Sequence, residues 1–398
     1  MTYQKAENDG LRILVLTSRN LYRENGERTL MLSKQAALEA EECQVAYVAC
    51  RWGGVPETSD LNILFQFRTW EWLIFPIRCY RQLKAAVQGW RPDVLVVSGG
   101  WLAANSWVLE RIKREQKIAL SVDLQGVLEE LTEYAMVKGN RVLSRALYYL
   151  LRRQERRLVE QVADVVEVVS HNFARYVRER YPRFSGAISV VPCGLSIIFD
   201  DHKYSENRAH WRQKLAIEPS RLAAVYVGGL YKWQRVREVV DFARRRQDWL
   251  FFLFVNGDIA SLGGLPANVR ISRLPHNDML KALCAFDYGF LLRNDDVTNR
   301  VAFPNKASEY LNARLKIIVD SKNLGCIRPE YSQAFCSVDE VSLVDPTEFK
   351  KSYAIQGLLY EQSVAGLLAA YRSAISFYLA ETESDQSGHN GNLGPVAT

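Results

Sequence analysis

Two segments in the second half of the chain hold residue types whose spacing suits an anionic ligand. The apolar run AAVYVG leads into GGLYKWQRV, where Gly228 and Gly229 permit a close backbone turn. Lys232 and Arg235 then bring cations to the start of a helical segment. Backbone N–H groups and an ammonium at a strand's carboxyl end suit a phosphate-bearing ligand. A glycine turn with a surface lysine is the competing reading. Farther on, DYGFLL ends at Arg293, a polar loop follows, and Pro304 starts a helix whose opening residues include Asn305, Lys306 and Glu309. Proline at a helix start and the free N–H groups behind it make an anion site. A lysine there runs against the helix dipole, so a doubly charged ligand explains Lys306 better than helix stability does. Glu309, one turn on, could accept hydrogen bonds from a pair of hydroxyls such as a ribose offers. The chemistry these groups allow is electrostatic stabilisation of a doubly charged, phosphate-bearing ligand.

Other chemistries lack their residues. No GxGxxG follows a strand run, and GxxxxGK[ST], HExxH and GxSxG do not occur. The histidines (171, 202, 210, 276, 389) show no ligand spacing. In the first half, TSRNLYRENGERTLML offers Asn25, Gly26 and Arg28 before a helix. The run KIALSV ends in DLQGVLEEL, whose Glu129 and Glu130 can be ordinary first-turn acids. Ser170 and His171 stand at another strand end, with a structural histidine as the rival reading.

These residues need strands and helices to position them, and the apolar pattern supplies both. RILVLT (12–17), QVAYVA (44–49), DVLVVS (93–98), KIALSV (117–122), DVVEVVS (164–170) and AISVV (187–191) read as one set of buried parallel strands. A second set comprises AAVYVG (223–228), WLFFLFV (249–255), VRIS (269–272), DYGFLL (287–292) and LKIIV (315–319). Helical segments separate the runs, so the expected fold class is α/β: two tandem Rossmann-like, doubly wound domains with a ligand cleft between them. The expected domains are 1–192 and 193–352. A helix over 353–380 would pack back toward the first domain, and 381–398 would be a disordered tail.

At 398 residues, 48% hydrophobic and 24% charged, the chain is long enough for two globular cores, which excludes a disordered or fibrous protein. The apolar runs are too short to span a bilayer, and the polar MTYQKAENDG does not read as a signal peptide. Seven scattered cysteines without a CxxC pair fit a reducing compartment, so the cytoplasm is the expected location. Net charge is +6, and much of it is local. Residues 138–157 carry Lys138, Arg141, Arg145, Arg152, Arg153, Arg156 and Arg157 against the single acid Glu155, interleaved with leucines. A basic amphipathic helix of this kind can be a solvated surface helix, lie on an anionic membrane, or bind nucleic acid. No nucleic-acid recognition motif accompanies the charge. TWEWLIFPIRCYRQL (69–83) reads as a membrane-contacting segment or as a helix with its aromatic face in the core.

GGLYKWQ, RLPHNDM, LLRNDDVTNRVAFPNKASEYLNARLKIIV and VVPCGL occur in this chain. Together they resemble the text of GT-B-fold, retaining, family 4-like glycosyltransferases of bacterial surface-polysaccharide assembly. The resemblance covers most of the chain and is strongest over residues 164–320. It implies that Lys232 and Arg293 hold the donor pyrophosphate, that Asn305 and Lys306 cradle its phosphates, and that Glu309 binds the ribose. The base would pack near Leu274 and Pro275. Domain 1–192 would take the acceptor and 193–352 would bind the nucleotide sugar; Arg28 would touch donor phosphate or acceptor. DLQGVLEEL is similar to the D-x-R-G-x-x-x-E-E text of related enzymes, with Gln125 where arginine is common, which makes Asp123 and Glu129 candidate polar contacts in the cleft, equally with the first-turn reading. Two departures stand out. The position eight before Glu309 is Val301 where the family has a glutamate, and the usual Lys-Gly reads Lys232-Trp233-Gln234. The implied activity is transfer of a sugar, of hexosyl or related type, from a nucleoside-diphosphate sugar of UDP or GDP type to a glycan or lipid-linked acceptor. No resident cofactor or metal is implied, and the protein would lie in the cytoplasm or peripherally on the inner face of the membrane. A non-catalytic GT-B-like partner subunit of a polysaccharide machine is the alternative, and Val301 is the feature in its favour.

Overall fold

The computed structural model describes residues 10–19, 21, 26–51, 61–134, 140–230, 232–343 and 353–389. The chain forms two compact units, Met1–Val191 with Tyr360–Thr398, and Pro192–Leu359.

Unit one holds strands β1 (Arg12–Thr17), β2 (Gln44–Arg51), β3 (Ile63–Arg68), β4 (Val94–Ser98), β5 (Ala119–Leu124), β6 (Val165–Val168) and β7 (Ala187–Val190). They form one parallel sheet in the order β3-β2-β1-β4-β5-β6-β7. β4 and β5 are buried at every residue, which is why their sequences are continuous apolar runs rather than alternating ones. Unit two holds β8 (Ala223–Gly229), β9 (Leu250–Asn256), β10 (Val269–Ser272), β11 (Tyr288–Phe290), β12 (Lys316–Val319) and β13 (Phe335–Ser337), parallel in the order β10-β9-β8-β11-β12-β13. Each sheet reverses direction of growth beside its first strand, between β1 and β4 and between β8 and β11. Such switch points leave a crevice at the strands' carboxyl ends, where ligands of open α/β sheets bind.

The structure adds two strands that the pattern does not announce. β3 is a half-exposed edge strand, and β13 is three residues long. Lys117 takes a left-handed φ of 51° as the cap of the helix Ser106–Gln116, so β5 starts at Ala119 rather than at 117. The closing helix runs Tyr360–His389, not 353–380. Residues 353–359 remain with unit two, where Tyr353, Ile355 and Leu358 are buried and the Leu195 N–H donates to the Leu358 carbonyl (2.7 Å). The helix also continues into the segment expected to be disordered, because 381–387 holds no glycine or proline to stop it once its start is packed.

That closing helix belongs to the core of unit one. Tyr360, Val364, Leu367, Leu368 and Tyr371 recur at helical spacing and join a cluster with Ile13, Val45, Tyr47, Val94, Val96 and Val165. Inside lies Glu167 of β6, fully buried. Its carboxylate accepts from Lys34 Nζ, Ser121 Oγ (2.7 Å) and the Tyr371 hydroxyl. A buried charge is tolerated when its partners are this complete. Burial alone would pull the Lys34 pKa down, but Glu167 and then Asp123 outweigh it and hold it above the ordinary lysine value.

A second buried acid, Glu155, sits on the inner face of the helix Arg141–Arg157 and accepts from the Tyr181 hydroxyl. Burial pushes its carboxyl up to about 7. A carboxyl raised in the folded state favours folding when protonated, and that contribution is lost as pH rises through the folded value. Glu155→Gln should therefore raise the melting temperature relative to wild type at about pH 8 and leave it nearly unchanged at about pH 5. Tyr371→Phe, which removes one donor from Glu167, should cost about 1–3 kcal/mol in denaturant unfolding.

Candidate donor site of the second unit

The site is built where β8 ends. Gly228 has φ of 142°, a conformation that side chains disfavour. Space excludes a side chain as well: a Cβ there would lie 2.8 Å from Gln234 Oε1, 2.9 Å from Lys306 Nζ and 3.0 Å from the Tyr226 hydroxyl. The Tyr226 hydroxyl donates to the Gly229 carbonyl (2.7 Å) and also contacts Gln234 Oε1. The turn then enters a short 3-10 helix, Lys232–Gln234. The Lys232 side chain, expected at the phosphates, lies outside the described residues. Trp233 is half-buried. Arg235, offered by the sequence as a phosphate cation, instead takes a left-handed backbone (φ 52°) and pairs with Asp320 and Glu238. Asp320 also accepts from the Arg293 backbone N–H (2.9 Å), tying the turn after β8 to the end of the neighbouring strand.

The second wall is the helix Asn305–Asn312, with Pro304 as its cap. Its buried face carries Ala307, Ser308, Tyr310, Leu311 and Asn312. Ser308 Oγ donates to the Cys193 carbonyl (2.5 Å), and Asn312 bonds the Ile197 carbonyl (3.0 Å) and the Phe199 N–H (2.9 Å). The Tyr310 hydroxyl accepts the Val227 N–H (3.0 Å). Tyr310 also lies so flat over Gly289 that a Cβ there would come within 2.6 Å of its ring. These contacts fix the opposite face, which brings Asn305, Lys306 and Glu309 to the site.

Lys306 Nζ donates to Gln234 Oε1 (2.9 Å) and stands 4.6 Å from the centre of the Tyr226 ring. The residue as a whole is partly accessible while its ammonium is deeply enclosed. Burial, then the nearby Arg293 guanidinium, hold the ammonium's pKa well below the ordinary lysine value; Glu309 opposes them. Burial likewise pushes the Glu309 carboxyl up to about 7 against the pull of Lys306. His276 Nε2 lies 3.8 Å from Glu309 Oε1, and burial lowers the imidazole's pKa. Leu274, half-buried two residues earlier, is carried on the same connection from β10. The structure thus brings Gly228, Lys306, Arg293 and Glu309 to one place and sets Leu274 on the segment beside it. Gln234 and His276 are the additions: Gln234 was visible only as part of KWQ text, and nothing in its type announced that it would hold a lysine. Val301 ends the short helix Val297–Val301 and is buried. An aliphatic side chain there offers no hydrogen bond to a sugar hydroxyl.

In unit one, Asp123, one residue before the end of β5, is buried and accepts from Ser98 Oγ (2.8 Å) and Gln125 Nε2 (2.9 Å). Ser98 Oγ in turn accepts from Arg19 Nε (3.2 Å), so residues at or just past the carboxyl ends of β1, β4 and β5 share one polar cluster. Glu129 is a structural knot: it accepts from Tyr148 (2.9 Å), Tyr176 (2.8 Å) and Arg180 (3.2 Å). Ser170 caps the helix His171–Arg180 by accepting the Phe173 N–H (3.0 Å), and His171, its first residue, is exposed. Arg28 lies within the first turn of the helix Gly26–Ala40 rather than ahead of it, and Asn25 falls outside the described residues.

Residues 6–194 match the glycosyl transferase 4-like domain. No curated protein matches the chain in sequence. Among solved structures the chain is similar to sucrose-phosphate synthase from Thermosynechococcus elongatus, at 14% identity and a TM-score of 0.62 over 95% of this chain and 100% of that one. It is similar to the trehalose-6-phosphate protein of E. coli bound with UDP-2-fluoro glucose, at 12% identity and a TM-score of 0.56 over 94% and 98%. It is also similar to WaaG, a glycosyltransferase involved in lipopolysaccharide biosynthesis, at 14% identity and a TM-score of 0.54 over 92% and 95%. The chain has the GT-B fold of these proteins, two parallel α/β sheets with alternating helices, and its first half matches the glycosyl transferase 4-like domain.

Proposed function

We propose that the protein is a glycosyltransferase that takes a sugar from a nucleoside-diphosphate sugar of UDP or GDP type and passes it to a glycan or lipid-linked acceptor in polysaccharide assembly. One observation carries the donor half of this reading. The enclosed ammonium of Lys306 has a neutral amide as its hydrogen-bond partner and a second cation, Arg293, nearby. Two cations crowded beside a glycine turn and a helix N-terminus suit a diphosphate. Glu309 would then accept the ribose hydroxyls, which would draw its carboxyl back toward the ionised form. Leu274 would flank the base.

In the reaction the bond from the anomeric carbon to the diphosphate oxygen breaks, and the acceptor hydroxyl oxygen forms the new bond on the same face, with retention. The departing diphosphate gains negative charge, which Lys306, Arg293 and the helix N-terminus stabilise without a metal. The acceptor proton passes to the leaving phosphate. The Asp123, Ser98 and Arg19 cluster is the acceptor-side candidate of unit one. The buried Val301 would leave one hydroxyl of the donor sugar without a carboxylate.

A melting-temperature screen against UDP, GDP, ADP and their sugars tests the donor site, since a ligand that binds the folded state raises its melting point. A rise of several degrees with one nucleotide series is expected, abolished in Lys306→Ala and in Gly228→Ala, with the unliganded variants still folded. No response to any nucleotide would refute the site. A response without donor turnover in the presence of polysaccharide or lipid-linked acceptors would favour the non-catalytic subunit. Binding should also depend on pH. Because the Lys306 ammonium has a depressed pKa, its contribution to nucleotide affinity should fall with rising pH at values below the ordinary lysine pKa, measured in the Glu309→Gln background, which removes the opposing titration of that carboxyl. Lys306→Arg, which keeps its charge throughout that range, should flatten the titration measured by calorimetry.

A further inference from the structure

The helix Arg141–Arg157 wears its polarity inside out. Its inner face buries Ser144 and Glu155 beside Leu151, while Val142 (79% exposed), Leu143 (50%), Tyr149 (62%) and Leu150 (63%) face solvent. The exposed apolar residues lie at the start and the middle of the helix, with arginines before, between and after them. The start is firmly made, with Asn140 Oδ1 accepting the N–H groups of Val142 and Leu143 (both 3.0 Å), so the exposed face is not a fraying end. A soluble surface helix normally puts its polar residues where these leucines are.

A second exposed apolar group occurs in the same unit. The helices Thr69–Ile74 and Pro76–Trp90 meet at a corner that leaves Trp70, Leu73, Ile74 (64%), Phe75 and Ile77 (62%) in water. Trp70 and Phe75 contact edge to face, 5.9 Å between ring centres. Both groups are mounted on one short stretch of chain. Trp72 Nε1 donates to the Leu102 carbonyl (3.3 Å), Asn105 holds the Trp72 carbonyl, and Ser106 Oγ donates to Gln154 Oε1 (2.8 Å). Their charge has one sign. Arg141, Arg145 and Arg153 are exposed and carry no ion pair among the described residues, and the helix's single acid is buried. Arg156 and Arg157 are paired with Glu160 and Glu110. At the corner Arg68, Arg78 and Arg81 are exposed, and Glu71 is engaged by Arg78 (3.6 Å) and by the Arg68 N–H (2.6 Å).

We propose that unit one seats on an anionic phospholipid surface, with Trp70, Ile74, Phe75, Ile77, Val142 and Leu150 entering the headgroup boundary and the flanking arginines meeting lipid phosphates. Isolated aliphatic side chains amid unpaired arginines match a continuous anionic surface, which accepts apolar insertion at any point and needs no complementary relief. Arginine stems can lie along that boundary with their guanidinium groups in water. Among the described residues no helix is long and apolar enough to cross a membrane, so the contact is peripheral. It stands whether or not the pocket of unit two takes a nucleotide sugar.

Flotation of the purified full chain with phosphatidylcholine vesicles, with and without phosphatidylglycerol, tests the proposal. Binding to the anionic vesicles should exceed binding to neutral ones by about tenfold or more and weaken as salt is raised. Ile74→Glu with Ile77→Glu should lower it about tenfold, as should Arg141→Glu with Arg145→Glu and Arg153→Glu. Unchanged melting curves would show that these variants remain folded. No flotation with anionic vesicles, or equal flotation with neutral ones, would overturn the proposal. So would concentration-dependent self-association that the same substitutions abolish, because a second copy would then be the occupant.

Discussion

The ammonium of Lys306 is taken out of water and given an amide oxygen rather than a carboxylate to bond. That single placement organises the second unit. It needs Gly228 to have no side chain, Tyr226 to present a ring face, and Gln234 to fold back from the turn. It also needs the helix Asn305–Asn312 to be anchored from behind, through Ser308, Tyr310 and Asn312. A charge placed this way costs folding free energy in the empty protein, and a bound anion would return it as affinity. The distorted glycine and the shifted pKa values of Lys306 and Glu309 lie where binding is proposed, as the general association of perturbed groups with functional sites would have it.

Much of the architecture was legible in the sequence because buried parallel strands advertise themselves as short apolar runs. Eleven runs marked strand cores that the structure contains, and their division into two series marked the two sheets. The runs missed were those for which periodicity has least to say: a half-exposed edge strand at Ile63–Arg68 and the three residues Phe335–Ser337. Ends were less legible, since they are decided by caps. Lys117 in the left-handed region is invisible to a hydrophobicity pattern.

The site was legible in part, and for a physical reason. Pro304, Lys306 and Glu309 could be read as a group because helix geometry fixes their spacing over a few residues. Arg235 was misassigned because its neighbour in space, Asp320, is distant in sequence and takes the charge that seemed available. Glu129 left two readings open, a ligand contact or a first-turn acid, because its partners Tyr148, Tyr176 and Arg180 are likewise brought to it only by the fold. Gln234 shows the reverse. Nothing in a glutamine's type implies that it will hold a lysine, and only the fold brings them within 2.9 Å.

The helix Tyr360–His389 completes the core of unit one, although all of unit two precedes it in the chain. During vectorial synthesis the sheet of unit one emerges before unit two, yet the face that receives Val364, Leu367 and Tyr371 stays uncovered until unit two has been made. Unit one cannot finish folding before unit two has been translated. The nascent chain thus keeps an apolar face of its first sheet uncovered throughout the synthesis of unit two.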